Sequence, residues 1–197
     1  MGALARLFAW VDKRGHATIT GMNDAHAEWG PSSTGMTAAA LAEIDLFREL
    51  SEASLADLAP RLRVGTRGPG EVIFREGEPA TEMYVLLAGE LEVVKASRSG
   101  RETRVAILGP GDVFGEMAIL DHEARSATVR SLSPVRLLRL SANDTDELAV
   151  RDIHAYATVL RTVARNVSRR LRVTDSLLAT ITANVLDEYV VRRSEQK

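Results

Sequence analysis

Residues 71–94 read EVIFREGEPATEMYVLLAGELEVV, and this stretch decides the fold class. Short apolar runs are cut by Gly/Pro turns, with Gly77 and Pro79 after the first run and Gly89-Glu90 after the second. The same texture extends in both directions across residues 63–140. GTRGPG precedes the stretch, and SRSG, TRVAILGPGDVFGE, SATVRSL and VRLLRL follow it. Several short strands with turn signals at near-regular intervals predict an eight-stranded antiparallel β-roll, and Gly100 marks a hairpin tip over 97–101.

Both flanks change period. Leu41, Ile44, Phe47, Leu50, Leu55, Leu58 and Leu62 give residues 38–62 a helical spacing, with Ser51 breaking the helix and capping a new one at Ser54-Leu55. Beyond residue 140 Gly and Pro are absent. Ser141, followed by Asn143, Asp144 and Asp146, predicts a helix start. Ile153, Tyr156, Leu160, Val163, Val167 and Leu171 then step by three and four, continuing through Leu178, Ile181 and Val185. This predicts one long amphipathic helix, or two joined near Thr174-Asp175-Ser176. At the other end, residues 1–22 read as a helix followed by a strand, and residues 23–37 as a Gly/Ser/Thr/Pro linker.

Composition bounds the function. The chain has 197 residues, 45% apolar and 26% charged, which is enough to bury a core and excludes wholesale disorder. A net charge of −2 supplies no positive field to gather phosphates, so a bulk-basic nucleic-acid binder is disfavoured. With no cysteine there is no disulfide framework, thiolate zinc site, iron–sulfur cluster or cysteine nucleophile. No apolar run has bilayer length and no signal-peptide core opens the chain, so a soluble, cytoplasmic protein is expected. The four histidines share no ligand spacing, so no metal is expected, and no Ser–His–Asp arrangement is legible, so the chain is read as not an enzyme.

The chemistry concentrates in residues 109–129, GPGDVFGEMAILDHEARSATV. Phe114-Gly115-Glu116 ends a predicted strand, and Gly115 lets a ligand approach the backbone. Met117-Ala118-Ile119-Leu120 is one short helical turn whose free N–H groups suit an anion. Nine positions after Glu116, Arg125 can grip a phosphate bidentately, and Ser126 adds a hydroxyl. The set suits a ligand with one phosphate and one sugar hydroxyl.

This segment resembles the phosphate-binding cassette of cyclic nucleotide-binding domains: Phe-Gly-Glu, a small hydrophobic helix, then Arg followed by small residues. The Glu-to-Arg spacing is that of the family's protein kinase regulatory subunits. The resemblance covers roughly residues 41–180, including Gly77, Gly89-Glu90 and the turn Gly109-Pro110-Gly111-Asp112. RTVARNVSRRLRVT is similar to the dimer helix of the bacterial catabolite activator type. The resemblance implies a mainly β fold with flanking helices, a double-stranded β-helix (jelly-roll-like) domain over residues 38–180, with a helical tail over 181–197. It implies that Glu116 binds the ribose 2′-hydroxyl and Arg125 the cyclic phosphate. Gly115, Met117 and Ala118 would be backbone donors and lining, Ser126 a hydroxyl contact and Thr174 a contact to the adenine edge. The implied ligand is cyclic AMP, with cyclic GMP as the alternative, and no other cofactor. Occupancy would pass through the C-terminal helix to an unknown effector protein or fused domain, and that helix would form a homodimer.

Two departures stand out. Ala124 occupies a position where the family often has proline. No helix-turn-helix follows the long helix before Lys197, so DNA binding is not expected. Residues 1–22 are similar to the middle of a STAS domain, as if a remnant of a larger chain. The rival readings are a regulatory tail of a larger enzyme or STAS-containing transporter, and a scaffold of the same fold that binds nothing, in which Glu116 and Arg125 are only a structural ion pair. The arginines at 161, 165, 169, 170 and 172 read as a solvated helix face.

Overall fold

The computed structural model describes residues 36–97, 100–121 and 123–194, with side chains described to residue 184. The STAS-like segment and nearly all of the expected linker lie outside the described residues.

Among the described residues eight strands form two four-stranded antiparallel sheets. They are β1 (Arg63–Arg67), β2 (Val72–Phe74), β3 (Glu82–Ala88), β4 (Leu91–Ala96), β5 (Glu102–Leu108), β6 (Val113–Phe114), β7 (Thr128–Ser131) and β8 (Val135–Ser141). One sheet has the order β1-β8-β3-β6 and the other β2-β7-β4-β5. Between Phe114 and Thr128 lies a single helical turn, α3 (Met117–Leu120). The expected mainly β roll with flanking helices is therefore the observed architecture.

The first sheet is buried on both faces, which is why β3 reads as a continuous apolar run instead of an alternating one. Met83, Val85, Leu138 and Leu140 turn outward to the helical layer, where they meet Leu41, Phe47, Leu55, Leu58, Leu148 and Val159. Tyr84, Leu86, Val135 and Leu137 turn inward and pack with Phe74, Leu91, Leu108, Phe114 and Val129 inside the roll. The period-two pleat thus gives one strand a share in two separate cores. The second sheet has an open side, and β5 is exposed from Glu102 to Ile107. Gly89 closes the β3–β4 turn at φ 87°, and a Cβ there would lie 2.3 Å from the Pro134 carbonyl oxygen.

The helical flanks differ in detail from the expectation. Helix α1 (Ala38–Ala42) is short, and the chain then advances in three-residue turns. Ile44, Phe47 and Leu50 each donate their N–H to the carbonyl three residues back. The apolar spacing here is strictly three, which matches those tight turns better than a 3.6-residue helix and keeps Leu41, Phe47 and Leu50 in the core. Ser51 caps α2 (Glu52–Leu58) as expected, its hydroxyl accepting from Ser54 N. Ser141 opens α4 (Ala142–Arg151) through a reciprocal capping box with Asp144.

The C-terminal helical region breaks at Asp152, at φ −147°, and not at 174–176. From there α5 (Ile153–Ser194) is continuous and runs through position 180 without interruption. The Asp152 carboxylate makes this break by accepting from Ala155 N at 3.0 Å and from the Ser54 hydroxyl at 2.6 Å. The break also shifts the apolar register. Ala155, Val159 and Val163 pack into the chain's own core, whereas Ile153 and Leu171, both assigned to the same stripe from sequence, are exposed.

These bonds hold the Asp152 carboxyl below its ordinary pKa, the Ser54 hydroxyl first and Ala155 N next. A depressed folded value means stabilisation present above the unfolded value of about 4 and lost as the pH falls through the folded one. Asp152→Asn is expected to lower the urea midpoint at pH 7, with the gap to the unmutated protein closing in acid. An equal gap at both pH values would remove the carboxylate from this role.

Candidate functional site

Arg125 is held by its backbone before its side chain does anything. Its N–H donates to Glu78 O at 2.9 Å and its carbonyl accepts from Gly77 N at 2.8 Å, so the β2–β3 turn clamps it on both sides. Glu76 N donates to Thr128 Oγ1, and Lys95 Nζ donates to both Ser126 O (2.6 Å) and Glu76 Oε1 (3.2 Å). The Glu76 carboxyl lies below its ordinary pKa because Ala96 N and Lys95 both donate to it.

Arg125 as a whole is 5% exposed. Nη1 donates to the carbonyls of Glu82 (2.7 Å) and Gly115 (3.2 Å), while Nε is buried without a hydrogen-bond partner. Burial pulls its pKa below the ordinary arginine value, opposed by Tyr84, Glu82, Glu78 and Glu116 nearby. Among the described residues no carboxylate lies within ion-pair distance of it. A buried cation with an unfilled donor is expensive unless an anion completes it.

Gly115 is the neighbour that permits this. Its φ is 71°, and a Cβ there would lie 2.6 Å from Arg125 Nη1. Its chain continues into α3, where Ala118 N already donates to Gly115 O at 3.3 Å and Ile119 N to Glu116 O at 3.0 Å. Phe74 faces the guanidinium, with Cζ of Arg125 4.0 Å from the ring centroid.

Glu116 does not pair with Arg125, so the merely structural ion pair between them does not form. Its partner is Arg170 of α5, whose Nη1 lies 3.4 Å from Glu116 Oε1. Arg170 Nη2 donates to Val113 O and sits 4.0 Å from Asp112 Oδ1. One arginine thus fastens the long helix to both ends of the β6–α3 segment. Arg170 is the exception in a run whose other members, Arg161, Arg165, Arg169 and Arg172, are exposed as expected of a solvated face. Arg161 and Arg165 are also engaged, both with Glu49.

These groups surround a cleft that is open to solvent. Gly115, Glu116, Met117, Ala118, Arg125 and Ser126 line it together, with Phe74 and Arg170. Thr174 does not. It is exposed one helical turn beyond Arg170, with its hydroxyl donating to the Arg170 carbonyl. Sequence reasoning missed Phe74 and Arg170 as site residues. Arg170 was visible only as one of five arginines, and Phe74 as one more apolar strand residue.

The family model for the cyclic nucleotide-binding domain matches residues 67–152, which carry β2 to β8, the β2–β3 turn that clamps Arg125 and the cassette. Over residues 67–152 the chain matches the cyclic nucleotide-binding domain family. A CRP-like cAMP-activated global transcriptional regulator of Mycobacterium tuberculosis is 29% identical over 140 residues, 71% of this chain and 60% of the relative. A cyclic nucleotide-gated potassium channel of Mesorhizobium japonicum is 38% identical over 104 residues, 53% of this chain and 27% of the channel. The catabolite activator protein of Thermus thermophilus superposes with a TM-score of 0.60 at 28% identity, covering 70% of this chain and 62% of that one. The chain therefore spans less than two thirds of each of these relatives, and what it shares with them is the cyclic nucleotide-binding domain. No helix among the described residues is long and apolar enough to cross a membrane.

Gly115→Ala is expected to destabilise the domain by about 1–2 kcal/mol from the left-handed backbone alone. The added methyl also displaces the Arg125 guanidinium. Urea unfolding checks the first effect, and a stability equal to that of the unmutated protein would show that the turn relaxes without loss.

Proposed function

We propose that the domain binds a cyclic nucleoside monophosphate, cyclic AMP by preference, and passes its occupancy outward through α5. The observation that carries this reading is Arg125: buried, without a carboxylate partner, with Nε unbonded, at the wall of an open cleft. A cyclic phosphate supplies the missing anion. Glu116 accepts the ribose 2′-hydroxyl beside its contact with Arg170. The ligand thus meets the same carboxylate that anchors α5, and it shifts the population of helix positions by its differential affinity for them. Thr174 reaches the base in this scheme only when α5 draws toward the roll, because it does not line the cleft as it stands.

The free part of α5 suggests a partner for the signal. Leu171, Leu178 and Ile181 are each about 60% exposed, and with Thr174 between them they step 3, 4 and 3. This is the spacing of a coiled-coil seam, and we propose that a second copy of the chain covers it. A double substitution, Leu178→Glu with Ile181→Glu, is expected to give monomers by light scattering with the domain still folded. A monomer for the unmutated protein at tens of micromolar, with and without cyclic AMP, would contradict the pairing.

Calorimetric titration tests the ligand. Arg125→Leu is expected to cost about 2–5 kcal/mol of cyclic AMP affinity, since the phosphate is left unpaired. Binding within a few-fold of the unmutated protein would falsify the site. Cyclic AMP is expected to bind modestly tighter than cyclic GMP; equal or better binding of cyclic GMP overturns that preference.

A further inference from the structure

Three rings meet under the guanidinium. Phe74 lies 6.0 Å from both Tyr84 and Phe114, and Tyr84 lies 5.3 Å from Phe114, all centroid to centroid and with interplanar angles of 22–34°. Arg125 Cζ is 4.0 Å from the Phe74 centroid and 5.7 Å from that of Tyr84. Each ring comes from a different place: Phe74 ends β2, Tyr84 lies mid-β3 and Phe114 ends β6. The lower face of the group is polar and satisfied. The Tyr84 hydroxyl donates to Glu82 Oε1 at 2.6 Å, and Arg139 Nη1 lies 3.2 Å from Glu82 Oε2. The Glu82 carbonyl, on the same residue, accepts from Arg125 Nη1.

We infer that Phe74 is a positioning residue for the anion grip of Arg125: its ring face holds the guanidinium plane so that unspent donors stay available to a phosphate. This rests on the ligand proposed above and adds a residue that the cassette does not contain. The physical case has three parts. A guanidinium buried away from any ion-paired carboxylate keeps its charge only if something else stabilises it, and an aromatic quadrupole does so without occupying a hydrogen-bond donor. A carboxylate in the same place would satisfy the cation and compete with the ligand for it. Gly115 supplies the matching clearance, because the position its Cβ would take is 2.6 Å from Nη1 and 3.5 Å from Phe74 Cε1. The arginine therefore has a fixed wall and a fixed gap.

The test compares Phe74→Leu, which keeps an apolar filler but removes the ring, with Phe74→Tyr, which keeps the ring. Val135→Ala, in the same core and away from the cleft, controls for lost packing. In calorimetric titrations with cyclic AMP, Phe74→Leu is expected to weaken binding about three- to thirty-fold, the range of a desolvated cation–π contact. Phe74→Tyr should restore affinity to within two-fold or so, and Val135→Ala should leave it unchanged at a comparable loss of thermal midpoint. A second readout needs no ligand. The Nε–H proton of Arg125 should be shifted upfield by the ring in the unmutated protein and in Phe74→Tyr, and should return to the ordinary arginine position in Phe74→Leu. Equal cyclic AMP affinity for Phe74→Leu and the unmutated protein, or loss of affinity in Val135→Ala as large as in Phe74→Leu, overturns the inference. If the unmutated protein takes up no cyclic nucleotide, the ligand reading falls and with it the grip; the Arg125 resonance then reports on the ring contact alone.

Discussion

The constraint on which this domain turns is a positive charge kept inside the protein with no carboxylate, among the described residues, at ion-pair distance. Desolvating a guanidinium is costly, and a folded chain ordinarily answers with a carboxylate. Here the answer is distributed. Two backbone carbonyls take Nη1, an aromatic face takes the plane, and the β2–β3 turn fixes the main chain of Arg125 from both directions. Each of these supports comes from a different strand or turn, so the roll must close before the arginine is in place. The acids in the neighbourhood are engaged elsewhere: Glu82 with Tyr84 and Arg139, Glu116 with Arg170, Glu76 with Lys95.

The two-core arrangement explains how such a site stays coupled to the rest of the chain. Tyr84 belongs to the interior that supports Arg125, while its neighbours Met83 and Val85 belong to the core beneath the helices. A shift of the helical layer against Met83 and Val85 therefore acts on the same strand that carries the Tyr84 ring and the Glu82 carbonyl. Close-packed interiors transmit such displacements because there is little free volume to absorb them. Arg170 offers a second connection, from α5 directly to Glu116.

Much of this was readable in the residues. The Gly-punctuated apolar runs declared the strands, the Phe114-Gly115-Glu116 sequence and Arg125 pointed to the residues that line one cleft, and Ser51 and Ser141 declared two helix starts. What escaped has a common physical origin. A three-residue apolar spacing over 41–50 does not distinguish successive tight turns from a helix. The break at Asp152 depends on the Ser54 hydroxyl, about a hundred residues away in sequence, which no local pattern encodes. Arg170 and its neighbours are chemically alike in sequence, and only the helix phase set by Ala155, Val159 and Val163 brings one of them to Glu116. Phe74 shares its composition with any inward strand residue, since the ring's partner is selected by closure of the roll.

The long helix also has a mechanical property. Among the described side chains the last anchored one is Arg170, and from Leu171 to Asn184 every side chain is exposed. The 24 residues from there to Ser194 make a rod about 36 Å long, so a rotation of only ~10° about the Arg170 contact would carry its tip through about 6 Å. The domain is in this sense built as a lever: a small rotation where Arg170 touches Glu116 and Val113 is magnified at the far end.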